Sequence, residues 1–287
     1  MFRGSVGGRA PGRQGCSVVD RVMFTIWWLL ASVLAEWGVR ALIHRGVYYY
    51  TASSQAQDGE RAVAFILTVL TPVFTFVVVM LIYNFIRFST ARGVATPGPH
   101  QFQTNKTFIG MWVLISIGLN VLFFVHPSAS ALEQMFNSEQ QRVHRQDLVV
   151  NVVARQWQWI FSYPQYGVED AEDANGNSTL YLPVNRNVKF ILRSYDPYHT
   201  YAPEAAVVHD FWIPAFGLKQ DIIPGETRYM YVHTTKVTSY NVNPMVRVQC
   251  AEVCGPGHPF MEAPVHVVSG VDFVAWVRQQ RMRQAQS

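Results

Sequence analysis

Four side chains that bind soft metal ions lie within twelve residues near the C-terminus. Residues 250–261 read Cys-Ala-Glu-Val-Cys-Gly-Pro-Gly-His-Pro-Phe-Met, and the four are Cys250, Cys254, His258 and Met261. Thiolate and thioether sulfurs beside an imidazole suit copper, whereas calcium and magnesium prefer oxygen. Structural zinc sites combine cysteines with more cysteines or with histidines. A blue-copper site needs only one cysteine, so two cysteines in one loop predict two copper ions bridged by both sulfurs.

The pattern needs one more imidazole, and His209 is the best candidate. It lies in residues 207–214, an apolar run that ends in proline and predicts a short strand leading into a turn. His199, His233 and His266 lie in a turn-like stretch or in strands, and we interpret them as surface or edge residues. The third cysteine, Cys16, lies in the N-terminal segment, and we assign it no function.

These residues resemble a known family, subunit II of cytochrome c oxidase. The resemblance rests on His209 with the sequence that follows it to Gly225, on the loop 249–261, and on the tryptophan-rich stretch Ala-Arg-Gln-Trp-Gln-Trp at 154–159. It covers the chain from roughly residue 60 to the C-terminus. It implies a cupredoxin-like Greek-key β-barrel that carries a binuclear copper centre, CuA.

Carried over by position, the resemblance implies a role for each ligand. Cys250 and Cys254 would bridge both copper ions. His209 and Met261 would complete one copper, while the second copper would bind the two groups that remain: the His258 imidazole and the backbone carbonyl of Glu252. The Glu252 carboxylate would reach a magnesium ion shared with the catalytic subunit, which suits the preference of magnesium for carboxylates and water.

The resemblance also implies that Trp157 receives electrons from the donor, with a core aromatic as the alternative reading. An acidic run follows, and it would steer a basic partner: Glu169, Asp170, Glu172 and Asp173.

Three positions depart from the family pattern. Many members carry an acid where this chain has Ala206, and an acid and a proline near Trp112 where this chain has Ile109 and Ser116. If that alignment holds, a proton-uptake carboxylate is missing.

Three apolar stretches precede the copper motif, at residues 22–34, 62–86 and 108–125. The second exceeds and the third approaches the ~20 residues that cross a bilayer, so both predict transmembrane helices. The first follows an arginine-rich start and predicts a signal peptide, with a retained third helix or an organelle transit peptide as alternatives. We therefore expect a signal segment or extra helix at 1–36, a helical hairpin at 37–126 and a copper domain at 127–287.

Charge is distributed unevenly along the chain. Residues 1–125 carry ten basic and four acidic residues, and residues 126–287 carry thirteen and fifteen, which together give the net charge of +4. Arg87, Arg92 and Lys106 lie between the second and third apolar stretches without an acid, so the positive-inside rule places the copper domain outside. The predicted location is a bacterial plasma membrane, with the mitochondrial inner membrane as the alternative. No motif indicates nucleic-acid binding.

The C-terminal half predicts an all-β domain. Short runs rich in Val, Ile, Tyr and Phe recur between turn signals, at residues 148–153, 157–163, 179–182, 188–194, 228–234 and 245–249. Residues 271–284 predict an exposed amphipathic helix.

The leading functional hypothesis is a cytochrome c oxidase subunit that takes electrons from cytochrome c and delivers them to haem in the catalytic subunit. That partner would reduce oxygen to water and pump protons. A nitric oxide reductase subunit and a membrane-anchored copper carrier are the alternatives.

Overall fold

The computed structural model describes residues 18–46, 50–87, 105–125, 147–195 and 207–286. Cys16, His199 and Ala206 lie outside the described residues. The chain forms two compact units, one drawn from residues 1–44 and 65–113 and the other from residues 45–64 and 114–287.

Within the described ranges, three helices are long and apolar enough to cross a membrane: α1 (Val18–His44), α2 (Ser54–Arg87) and α3 (Lys106–Phe123). The apolar stretches at 62–86 and 108–125 correspond to α2 and α3, and the stretch at 22–34 lies inside α1. The α2 helix begins earlier than expected because its first turns are polar, which a hydropathy criterion excludes but a helix tolerates.

In the first unit, α1 contacts α2 through polar side chains. The Trp28 indole donates to the Pro72 carbonyl at 2.8 Å, and the Ser32 and Thr75 hydroxyls are 2.7 Å apart. Hydrogen bonds between apolar helices are worth about 0.6 kcal/mol on average, and they fix which faces meet.

The same pair of helices is joined by a buried acid and by aromatic contacts. Asp20 is buried, and its carboxylate accepts from Tyr83 at 3.1 Å and from Arg87 at 3.0 Å. The Phe24 and Phe76 rings pack edge to face, with centroids 5.4 Å apart.

The second unit is mostly β. Its strands are β1 (Leu148–Arg155), β2 (Gln158–Ser162), β3 (Leu180–Pro183), β4 (Asn187–Ser194), β5 (His209–Ile213), β6 (Leu218–Ile222), β7 (Arg228–His233), β8 (Thr238–Ser239), β9 (Arg247–Cys250) and β10 (Glu262–Val268). They form one sheet in the order β2-β1-β4-β7 and a second in the order β3-β10-β9-β5-β6, with β8 paired to β10. The β1–β4 and β3–β10 pairs are parallel.

Alternating side chains from both sheets form one apolar core. Burial alternates along β1, β4 and β10, as expected for strands with one face inside and one outside. Large aromatic residues fill the centre and are almost completely buried: Trp159, Phe161, Tyr163, Phe190 and Phe211.

The C-terminal helix α4 (Gly270–Gln284) is not fully exposed, in contrast to the expectation from its sequence. Ser269 caps its first turn by accepting from the Asp272 backbone N–H at 3.1 Å. Trp276 is buried and stacks on Tyr181 with centroids 4.7 Å apart. Phe273, Trp276 and Val277 form the buried face of the helix together with Gln280, whereas Val271 and Met282 remain exposed.

The segment that leads into α2 is part of the β unit. The Ala52 backbone N–H donates to the Ala215 carbonyl at 2.8 Å, and the Ser53 hydroxyl donates to the Phe216 carbonyl at 2.7 Å. Both Ala52 and Ser53 are fully buried. The beginning of α2 is thereby fixed to the domain that carries the copper motif.

Candidate metal centre

Two strands and one loop bring the predicted metal ligands together. His209 begins β5, Cys250 ends β9, and the two strands pair so that Phe211 lies opposite Cys250. The loop after β9 returns to β10, and the Cys250 backbone N–H donates to the Met261 carbonyl at 3.1 Å. That hydrogen bond closes the loop, so ligands eleven residues apart in sequence face one another.

The donor atoms are close to one another. Cys250 Sγ lies 3.7 Å from Cys254 Sγ and 3.7 Å from His209 Nδ1. Cys254 Sγ lies 3.6 Å from His258 Nδ1 and 3.9 Å from Met261 Sδ. His209, Cys250 and Cys254 form a group whose ligand atoms all lie within 4.8 Å of one another and could hold a metal ion.

The two cysteines are free thiols rather than a disulfide. Their sulfurs are 3.7 Å apart, against ~2.05 Å in a disulfide. Metal–sulfur bonds near 2.3 Å and metal–nitrogen bonds near 2.0 Å hold neighbouring donors roughly 3.5 Å apart, which is close to the spacing here. The three sulfur donors and His209 are nearly fully buried, His258 is partly buried, and this set of donors fits copper by its chemistry.

The buried setting changes the ionisation of two ligands. Burial, with a contribution from nearby His258, lowers the pKa of His209 to about 4, so its imidazole is neutral and able to coordinate at pH 7. Burial raises the pKa of the Cys254 thiol to about 12, and the neighbouring Cys250 adds to the effect. A metal ion that binds here must displace the Cys254 proton.

Glu252 contributes a backbone carbonyl to the cluster of donors. Its backbone carbonyl lies 3.1 Å from Cys250 Sγ, inside the cluster of donors, while the residue as a whole is exposed.

Trp157 lies in the β1–β2 turn and contacts the copper loop directly. Its indole N–H donates to the Cys254 carbonyl at 3.1 Å, and the side-chain amide of Gln156 donates to the same carbonyl at 2.8 Å. Trp157 is 39% exposed. One aromatic side chain therefore reaches from solvent to the backbone of a metal ligand.

Glycine at position 257 leaves room in the loop for the Trp157 indole. A Cβ on Gly257 would lie 2.3 Å from Trp157 Cδ2, and a Cβ on Gly255 would lie 3.0 Å from Trp157 Cζ2. Such distances are below van der Waals contact, so Gly257 permits the close approach.

Trp159 is a core residue that contacts two of the predicted metal ligands. It is 1% exposed, its indole N–H donates to the Met261 carbonyl at 3.2 Å, and its ring centroid lies 6.3 Å from that of His209. Trp159 is therefore a core aromatic residue, unlike the half-exposed Trp157.

The other candidates lie away from this cluster. His233 contacts Asn187, with Nδ1 and Oδ1 2.7 Å apart, and His266 stacks on Tyr181.

The acidic run follows the opposite end of β2, and its backbone is held by α4, since Gln280 and Arg283 donate to the Glu172 carbonyl. Ile109 and Ser116 lie in α3, whose sequence contains no carboxylate.

Sequence reasoning missed Gln156 and Gly257. Gln156 and its acceptor Cys254 are 98 residues apart, and no local pattern indicates such a contact. The only signal in the sequence was the Gly-Pro-Gly that precedes His258. Such a sequence is normally taken as a turn, so it did not suggest that Gly257 leaves room for an indole ring.

A family model described as cytochrome C oxidase subunit II, periplasmic domain, matches residues 148–269. Among named relatives, the alternative cytochrome c oxidase subunit 2 of Bradyrhizobium diazoefficiens is 27% identical over 233 residues, which is 73% of this chain and 75% of the relative. Cytochrome c oxidase subunit 2 of Bacillus subtilis is 29% identical over 206 residues, 71% of this chain and 53% of the relative. The chain thus spans about half the length of the Bacillus protein.

A shorter match is closer in sequence. Cytochrome c oxidase subunit 2 of Thermostichus vulcanus is 40% identical over 135 residues, 46% of this chain and 33% of the relative. Among solved structures, the periplasmic domain of subunit II of cytochrome oxidase of Bradyrhizobium japonicum matches with 28% identity and a TM-score of 0.40, covering 50% of this chain and 99% of that domain.

Proposed function

Since the chain belongs to the family of cytochrome c oxidase subunit II, we propose that it is the electron-accepting subunit of such an oxidase. It takes electrons one at a time from cytochrome c and passes them to haem in the catalytic subunit. That subunit reduces oxygen to water and translocates protons. The observation that carries this proposal is the convergence of two buried thiols on two imidazoles, one thioether and one carbonyl oxygen.

These groups are proposed to hold two copper ions, which when bound accept and share a single electron. Cys250 and Cys254 would hold both ions with their thiolates, and each sulfur lies near a different imidazole. His209 and Met261 would complete one copper. The other two donors, the His258 imidazole and the Glu252 carbonyl, would complete the second. The buried, neutral His209 imidazole and the closed loop keep the ligands in position, which limits rearrangement when the charge changes.

Trp157 is the proposed residue at which electrons arrive. Its exposed edge is available to a donor, and its N–H bonds to the carbonyl of Cys254. Electrons that reach the indole are therefore one hydrogen bond from a ligand residue.

The Glu252 carboxylate is proposed to bind magnesium together with the catalytic subunit. Its exposure supports this role, since a shared ion requires a side chain that faces a partner.

The proposed architecture is membrane-anchored, with the helices about 62–86 and 108–125 spanning the bilayer and a copper domain at 127–287 outside it. The β domain is proposed to be a Greek-key barrel. We also propose that the segment predicted at 1–36 contributes to a retained helix, α1 (Val18–His44), rather than to a cleaved signal, because α1 makes specific contacts with α2 at Pro72 and Thr75. Bacterial relatives favour the plasma membrane over the mitochondrial inner membrane.

The decisive experiment is electron paramagnetic resonance of the full chain, purified in detergent and loaded with copper, together with a copper count. We expect two copper ions that share one unpaired electron. Cys254→Ser should abolish that mixed-valence signal, because only one bridging sulfur would remain. Cys16→Ser is the matched control and should leave the signal unchanged.

An ordinary signal from a single cupric ion in the unsubstituted chain would contradict the proposal and favour a copper carrier. Retention of the mixed-valence signal in Cys254→Ser would contradict the ligand assignment.

A further inference from the structure

The outer face of the β2-β1-β4-β7 sheet combines positive charges with aromatic rings. We call it the cationic face and define it by six residues: Arg155, Lys189, Arg193, Tyr195, Tyr229 and Tyr231.

Strand register places these side chains in adjacent rows. Val149 on β1 lies beside Lys189 on β4, which lies opposite Tyr231 on β7. Two residues further along β4, Ile191 lies opposite Tyr229. Because side chains alternate along a strand, residues at this spacing all point away from the buried core.

The positive charges are held by neutral partners. Lys189 Nζ lies 4.5 Å from the centre of the Tyr229 ring, and the Arg155 guanidinium lies 4.9 Å from that of Tyr195. Arg193 donates from Nε to the Thr227 hydroxyl at 3.1 Å. Cation–π contacts and a neutral hydrogen bond orient these groups without cancelling their charge.

Carboxylates are absent from the outward positions of these four strands in the described part of the chain. The remaining outward residues are Val149, Asn151, Val153, Gln158, Ile160, Ser162, Asn187, Ile191 and His233. Two acids flank these strands in the described residues: Asp147, which is buried, precedes β1, and Glu226 lies two residues before β7 and pairs with Arg228 at 2.6 Å. Asp196 follows Tyr195 directly and lies outside the described residues.

The cationic face begins beside the residue proposed to receive electrons. Arg155 ends β1, two residues before Trp157 in the turn. The acidic run 169–173 follows β2 and turns back beside it, since the Ala171 backbone N–H donates to the Phe161 carbonyl at 2.8 Å. Arg155, two residues from Trp157, is closer to it in sequence than any acid of that run.

We propose that the cationic face is the docking surface for an electron donor whose own contact surface is acidic. This inference rests on the proposed function and specifies the chemistry of its partner. Complementary charge would raise the association rate and orient the donor haem towards Trp157. One electron then passes from the ferrous haem, which becomes ferric, to the copper pair, which is reduced by that electron.

The test compares two forms of one cytochrome c, the native basic protein and the same protein with its lysines succinylated. Each reduced form is mixed with the copper-loaded full chain, and copper reduction is followed by stopped flow at several ionic strengths. We expect the succinylated form to react about tenfold faster at low salt and to lose that advantage as salt rises.

Charge-reversal variants test whether the cationic face causes the preference for the succinylated cytochrome. The double variant Lys189→Glu with Arg193→Glu should abolish the preference for the succinylated form. Arg278→Glu, an exposed position on α4, is the matched control and should retain it. A preference for the native cytochrome, or rates that the double variant leaves unchanged, would overturn the inference.

Two other results have distinct meanings. Equal rates for both cytochromes, with inhibition by phosphatidylglycerol vesicles, would assign the face to an anionic bilayer and overturn the inference. A chain that no cytochrome reduces, although dithionite reduces its copper, would contradict the proposed function, and the docking inference with it.

Discussion

The buried Cys254 thiol makes copper binding a proton-release reaction. Its pKa is raised to about 12 by burial, so the thiol is protonated at neutral pH and would have to lose that proton for the proposed copper to bind. His209, with a pKa lowered to about 4, is already neutral and releases none. Copper affinity should therefore fall as the pH falls, by about tenfold per pH unit for each proton released.

Copper titrations of the full chain between pH 6.5 and 8, with a chelator as competitor, would measure this slope. The Cys254→Ser variant is the comparison, because it lacks the proton in question and should show a shallower slope. An affinity that does not change with pH would show that the thiol is already ionised before copper binds.

Gly257 determines whether Trp157 can rest against the copper loop. In Gly257→Ala the new Cβ would overlap the indole at 2.3 Å, so Trp157 must move and its bond to the Cys254 carbonyl must lengthen. We expect the mixed-valence copper signal to persist while reduction by cytochrome c slows on the order of tenfold. Overpacking should also destabilise the domain by about 1–3 kcal/mol.

Gly270→Ala is the matched control, because a Cβ at Gly270 meets nothing within 4 Å. Reduction rates and thermal unfolding of the two variants would be compared with those of the unsubstituted chain. If Gly257→Ala transfers electrons at the normal rate, Trp157 has a structural role.

The candidate metal ligands were easier to predict from the sequence than the residues that hold them in place. Cys250, Cys254, His258 and Met261 share one loop, so their chemistry and spacing are visible together. The contact between Gln156 and the loop depends on how two distant turns meet in space. Supporting residues of this kind have ordinary side chains, and only the fold gives them a role.

Elements were predicted well where their pattern is local. The strands at 148–153, 188–194 and 228–234 correspond closely to β1, β4 and β7, because each is a short run rich in β-branched or aromatic residues. Residues 157–163 were expected to form one strand, but β2 begins at Gln158 because Trp157 belongs to the turn. The strand β6 was missed, since Leu218–Ile222 contains three polar residues and has an exposed edge.

The contact between α1 and α2 can be tested by cross-linking. Ser32 and Thr75 have hydroxyls 2.7 Å apart, so cysteines at these two positions should form a disulfide in a Cys16→Ser background. Intact-mass measurement of the purified chain would show residue 32 still present and cross-linked. Val33→Cys with Thr75→Cys is the matched control, because Val33 is 68% exposed and should not cross-link.

A purified chain that begins near residue 36 would contradict the retained helix. A full-length chain without the Ser32–Thr75 cross-link would contradict the helix pairing instead. The two results separate processing of the N-terminus from packing in the membrane.

At the scale of the whole molecule, three membrane crossings by α1, α2 and α3 would explain two features. They would explain where the basic segments lie and why the segment before α2 packs on the β unit. The N-terminal arginines and the connection between α2 and α3 would lie on the same side of the membrane, as the positive-inside rule requires. The segment with Ala52 and Ser53 would lie on the other side, where both residues are buried against the β unit.

This topology predicts which side of the membrane each segment faces. In a Cys16→Ser background, Val242→Cys should react with a membrane-impermeant maleimide in spheroplasts, because Val242 is 69% exposed on the β unit. Ser89→Cys, between α2 and α3 in sequence, should react only after the membrane is permeabilised. Cys250 and Cys254 give little background, since they are 1% and 3% exposed and are expected to hold copper. Labelling of position 89 before position 242 would reverse the topology and remove the copper domain from the reach of any donor outside the cell.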